Sequence, residues 1–193
     1  MMTRKALTPA LLLALLISAA PVLAAQPEIR IAAAGQEIKA EPANEADLKA
    51  FSQAKVSIVS AIAAADKHGG KGKVIDVSFD AGNGKPVYNV KTYQNGSVWE
   101  GVVDARSGQV IGVGKTTQES LLDQEDKAEL AGLQRAAVTL AQAVDTAEKR
   151  VSGKAMSAGL EETKGQIVFE VMIVKNGSVQ KIVIDPKTGQ VLT

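Results

Sequence analysis

At 193 residues, 46% of them hydrophobic, the chain can bury a real core, and its length allows one or two domains. It has no cysteine, so disulfides, thiol nucleophiles and cysteine-bound zinc are excluded and the fold must rest on burial alone. The formal net charge of +1 lacks the basic surplus of a nucleic-acid binder.

Arg4 and Lys5 form a positive start, and Leu11 to Ala20 is an apolar run too short to span a bilayer comfortably. Pro21 followed by Val22-Leu23-Ala24 supplies a small-residue cleavage pattern. Residues 1–24 are therefore expected to be a secretory signal peptide, cut after Ala24 or Ala25. The mature chain is then periplasmic or secreted, with no membrane span. No Cys lies near the cut, so a lipid attached there is excluded. Losing Arg4 and Lys5 takes the formal charge from +1 to −1. Residues 25–43 read as a leader or an edge strand: Ile29-Arg30-Ile31 alternates before Gly35 and Pro42 interrupt it.

Two helices follow. Asn44 is a candidate N-cap ahead of Asp47, Leu48 and Phe51. Ser57 is a second candidate cap, after which Ile58, Ala61, Ile62 and Ala65 fall on one helical face. Both helices recur 82 residues on, with Asp126 as the counterpart of the first cap and Leu130 and Leu133 matching Leu48 and Phe51. Thr139 then precedes Leu140, Ala143, Val144 and Ala147. Alanine at two of the four contact positions lets each second helix lie close to a sheet. One residue is lost where His68-Gly69-Gly70-Lys71 becomes Arg150-Val151-Ser152, and the offset is 81 thereafter.

Strand patterns come next. Ile75, Val77 and Phe79 alternate with Asp76, Ser78 and Asp80, and Tyr88 and Val90 alternate with Asn89 and Lys91. Phe169, Val171 and Ile173 repeat the second pattern. Asn95-Gly96 and Asn176-Gly177 suit tight hairpins whose central residues need positive φ. Strands Val98 to Val103 and Val179 to Ile184 lead into the turns Asp104-x-x-Ser107-Gly108 and Asp185-x-x-Thr188-Gly189. In these the carboxylate accepts local N–H groups and glycine takes the left-handed conformation.

The repeat predicts an α+β fold of two tandem two-layer modules, each two helices followed by a four-stranded antiparallel sheet. The first module spans 44–113, a Gly/Thr-rich linker 114–121, and the second module 122–193. If Tyr88, Val90 and Val103 face the helices, then Val87, Tyr93, Val98 and Val102 face away. In the second module the outward set is Val168, Met172, Val174, Val179 and Val183. Such partly apolar outer faces imply that the two sheets pack together, that the chain dimerises, or that a strip is left for a partner.

The order of these motifs resembles the PepSY domain family. The first copy carries it in Ala61, Ala65, Gly72-Lys73-Val74, Val87-Tyr88, Val90, Val103-Asp104, Ser107-Gly108 and Val110. The second carries it in Ala143, Ala147, Gly153-Lys154, Phe169, Val171, Ile184-Asp185, Thr188-Gly189 and Val191, with Ala155 and Phe169 departing from the pattern. The resemblance covers residues 44–193. It implies small α+β modules found in propeptides of thermolysin-like metalloproteases and in extracytoplasmic bacterial proteins, where they inhibit or hold a peptidase or act as interaction modules.

No catalytic constellation stands out. The stretch from Gly112 to Thr116 lacks the spacing of a phosphate loop. His68 is the single histidine, beside Gly69 and Gly70 at a helix end, so neither a zinc site nor a Ser/His/Asp triad can be assembled. Asp76, Asp80 and Glu100 are more simply a solvated strand face than a calcium or acid/base cluster. No cofactor is implied. Tyr93 and Trp99 flank the Asn95-Gly96 turn on neighbouring strands. They serve either as a protein-binding pair, with Val98 and Val102 beside them, or as the closure of one end of the core. The chain is expected to be a non-enzymatic binding protein for an unknown protein or peptide, a co-secreted peptidase among them. The alternative is an envelope sensor of a small ligand or metal ion.

Overall fold

The computed structural model describes residues 45–192 save 70, 71, 83 and 113. The expected signal peptide, leader and Asn44 cap fall outside the described residues.

Each half opens with two helices, α1 (Glu45–Ser52) and α2 (Ile58–Gly69) in the first, α3 (Gln124–Arg135) and α4 (Leu140–Val151) in the second. Their caps are local chemistry. Ser57 Oγ accepts the Ser60 N–H at 3.2 Å, and Thr139 exchanges bonds with Gln142 in a complete capping box. The α3 cap differs from the sequence expectation. It is Asp123, which accepts the Asp126 N–H at 2.9 Å, while Asp126 lies inside the helix. The spacing of Leu130 and Leu133 cannot separate the two aspartates, because both precede the same apolar face.

The strands are β1 (Lys73–Asp80), β2 (Val87–Gln94), β3 (Ser97–Asp104), β4 (Lys115–Gln118), β5 (Lys154–Thr163), β6 (Gln166–Lys175), β7 (Ser178–Ile184) and β8 (Val191–Leu192). They form one antiparallel sheet in the order β4-β3-β2-β1-β5-β6-β7-β8. The fold is α+β and made of two repeated helix-then-strand modules, as the repeat predicts. The modules neither stack sheet on sheet nor stand apart. They join edge to edge through β1 and β5, in a short ladder running from Asp76↔Gly159 to Ser78↔Ser157. Edge pairing satisfies the backbone groups that two separate sheets would each leave open. The stretch expected as a linker contains β4, which pairs with β3, whereas Val110 makes only a single bridge to Val103.

Tyr88, Val90, Val103, Phe169, Val171, Ile173 and Ile184 are fully buried on the helix side, against Ile58, Ala61, Ala65, Leu140, Val144 and Ala147. The alanines let α2 and α4 lie close to the strands. Both β1 and β5 carry a bulge at the same repeat position, Val74/Asp76 and Ala155/Ser157. The extra residue interrupts the side-chain alternation, so Val74 and Ile75 are buried in succession. The middle of the outer face is polar, with Asn89, Ser78 and Ser157 in one cross-strand row.

Candidate functional site

The four residues that the sequence marks as partner contacts all meet one segment of the chain itself, residues 112–119. Tyr93 Oη donates to Glu119 Oε2 at 2.6 Å, a bond to a carboxylate that raises the phenol pKa. Val98 pairs with Thr117, and Trp99 pairs with Thr116. The Trp99 indole covers Gly101 and Gly114, where any Cβ would overlap the ring. Val102 lies against Gly112, and its carbonyl accepts the Ile111 N–H at 2.8 Å. Strand alternation puts Tyr93 and Val98 on the outer face, and Trp99 on the helix side with Thr92. The two aromatics therefore form no joint surface, and Trp99 packs against the core.

The same segment accounts for the glycines around Lys115. Gly114 gives Trp99 room, and residues from Lys115 run as a strand, not as the helix a phosphate loop would open. The structural turns are formed as expected. Asn95, Gly96, Asn176 and Gly177 all have positive φ. Asp104 Oδ1 accepts from the Arg106 and Ser107 N–H groups and from Ser107 Oγ, bonds that hold its carboxyl below the usual range. Asp185 Oδ1 accepts from Lys187 and Thr188, and Gly108 and Gly189 take φ of 74° and 70°.

In the second module the equivalents of Tyr93, Val98, Trp99 and Val102 are Val174, Val179, Gln180 and Val183. Here the edge is largely bare. β8 pairs only with Val183 and Ile184, and among the described residues no strand pairs with the outer side of Ser178 to Lys181. The counterparts of those residues, Ser97 to Glu100, are the ones β4 covers. Val102 and Asp104 turn their backbone bonds outward, so by the constant offset Val179 and Lys181 present theirs outward too. Lys181 is anchored by Glu170 at 3.1 Å.

A second feature has no local signature in the sequence. Asp76, Glu100, Asp123, Glu125, Asp126, Glu129 and Glu161 line a cavity of about 260 Å³, with Lys91 the cation among them. Burial pushes the Asp76 carboxyl up to about 6, while Lys91 pulls it down and Glu161 adds to the rise. Burial, then Glu161, Asp126 and Glu125, push Glu129 up to about 7 against Lys91. Glu161 is raised chiefly by burial. Asp76 and Glu100 come from the first module and the others from the second or the segment leading into it, so only the β1–β5 seam brings them together. Asp80 is elsewhere, exposed and accepting the Gly82 N–H at 2.7 Å. Among the described residues no three His, Asp or Glu side chains are placed to hold a metal ion, and no helix is long and apolar enough to cross a membrane.

Comparison with known proteins agrees with the repeat. The family model described as "Peptidase propeptide and YPEB domain" matches residues 55–113 and again 137–193. A crystal structure of a candidate lipoprotein from Clostridium difficile 630 is similar at 23% identity, covering 73% of this chain and 93% of that one, with a TM-score of 0.42. No curated protein gives a significant match.

Proposed function

The chain belongs to the PepSY family, and we propose that it is a non-enzymatic envelope protein, periplasmic or secreted, that binds an extended peptide segment by strand addition. One observation carries the reading: among the described residues the edge of β7 at Ser178 to Lys181 is unpaired, where its repeat counterpart is occupied by the chain's own β4. Main-chain bonds to Val179 and Lys181 would supply affinity, and the half-buried side chains of Val174 and Gln180 would set preference. On this reading Tyr93, Val98, Val102 and Trp99 hold the internal strand, and the partner meets their second-module equivalents. An extended segment of a peptidase is one partner of this kind, which would make the protein an inhibitor.

The test is a labelled peptide of the β4 segment, residues 114–121, added to the mature chain and followed by fluorescence anisotropy. Saturable binding is expected, and Lys181→Pro should abolish it while circular dichroism stays native, because proline removes an outward N–H. Binding that survives Lys181→Pro, or chemical shifts that move away from residues 178–181, would refute the edge. Gel filtration reads the homodimer alternative, in which β7 pairs with β7 of a second copy.

A further inference from the structure

A second cavity, of about 360 Å³, lies between the C-terminal half of α2, the start of β1 and the connection from α3 to α4. Ile62, Val74, Leu133, Val138 and Leu140 give it a largely apolar wall. Asp66 is the acid in that wall, and its Oδ1 is buried without a hydrogen-bond partner among the described residues. The repeat shows what is missing. The equivalent of Asp66 in α4 is Glu148, whose Oε1 accepts the Ala155 N–H at 2.8 Å. Ala155 in turn is the equivalent of Val74. Asp66 is one methylene shorter and makes no such bond, so its carboxylate is left facing the cavity. Lys73, the cation in the lining, is engaged with the Leu133 carbonyl at 3.2 Å. Burial raises the Asp66 pKa.

A desolvated acceptor in an apolar pocket is costly until a donor pairs with it, and a charged donor repays most. We propose that this cavity receives the ammonium end of an alkylamine, a free aliphatic amine or a lysyl side chain, with Asp66 Oδ1 as acceptor and the apolar wall covering the alkyl chain. The site is separate from the β7 edge, and either can fail without the other.

The experiment titrates the mature chain at pH 8 with n-pentylammonium chloride, with 1-pentanol and with an acetylated, amidated Ala-Lys-Ala peptide, following backbone amide shifts by NMR. At that pH the ammonium is charged, since its pKa is about 10. The ammonium should bind at least tenfold more tightly than the alcohol, with shifts at Val74 and residues 136–141, and Asp66→Asn should bring it to the alcohol's level. Tighter binding of the peptide assigns the lysyl source, and binding of the free amine alone assigns the small molecule. Equal binding of amine and alcohol to the unsubstituted protein overturns the proposal, as does amine binding undiminished in Asp66→Asn. The alcohol comparison needs no variant, so the test stands even if Asp66→Asn misfolds.

Discussion

Asp76 and Gly159 face each other across the β1–β5 ladder, and a Cβ on Gly159 would lie 2.6 Å from Asp76 Oδ2. The absence of a side chain at Gly159 is what lets a half-buried carboxylate lie over the seam between the modules. Gly159→Val should therefore force Asp76 out of place and lower stability by about 1–3 kcal/mol. Urea unfolding followed by circular dichroism measures this, and an unchanged midpoint would mean that the seam tolerates a side chain there.

The acidic cavity predicts an unusual pH profile. Asp76 at about 6 and Glu129 at about 7 lie above their ordinary values of 3.8 and 4.5, so both hold protons more tightly folded than unfolded. Their contribution is full below about pH 4 and is lost as pH rises through 6 and 7. For Asp76 the loss is roughly 3 kcal/mol, and the more solvated Glu129 adds less because water screens it. Asp104 works in the opposite sense, since its lowered pKa contributes stability that disappears as pH falls. Thermal melts should thus show the midpoint rising on acidification from about pH 8 to about pH 5, then falling. Asp76→Asn should raise the pH 8 midpoint and flatten that rise. A profile unchanged by Asp76→Asn would remove the cavity as its cause.

Trp99 should matter for folding before it matters for binding. Its ring covers Gly101 and Gly114 and packs on the core, so Trp99→Ala leaves a void and should cost about 2–4 kcal/mol. Tyr93→Phe removes the hydroxyl that donates to Glu119 while keeping the ring and should cost about 1 kcal/mol. Equilibrium unfolding of the two variants checks the order, and a Trp99→Ala cost below that of Tyr93→Phe would contradict the packing.

The candidate site was only partly legible in the sequence. Alternation placed Tyr93, Val98 and Val102 on the outer face, and the repeat identified Val179 as an equivalent of Val98. The polar composition of residues 114–121 concealed β4, because Lys-Thr-Thr-Gln has no buried face and becomes a strand only by pairing with β3. The carboxylates of α3 look like an ordinary solvated helix face until Asp76 and Glu161 are placed beside them.

What the sequence by itself determined is most of the local structure, the α3 cap excepted, and the repeat that copies it. That includes the caps at Ser57 and Thr139, the helix faces, the hairpins at Asn95-Gly96 and Asn176-Gly177, and the 81-residue repeat of Asp104-x-x-Ser107-Gly108 as Asp185-x-x-Thr188-Gly189. These follow from side chains acting on their own backbone. Only the tertiary structure decided that β1 meets β5, which makes one sheet of two modules, gathers the acids at the seam and, among the described residues, leaves β7 unpaired on its far side at Ser178 to Lys181. Strand edges present the same N–H and C=O groups whatever their side chains, so which edges pair is settled by how the whole chain packs.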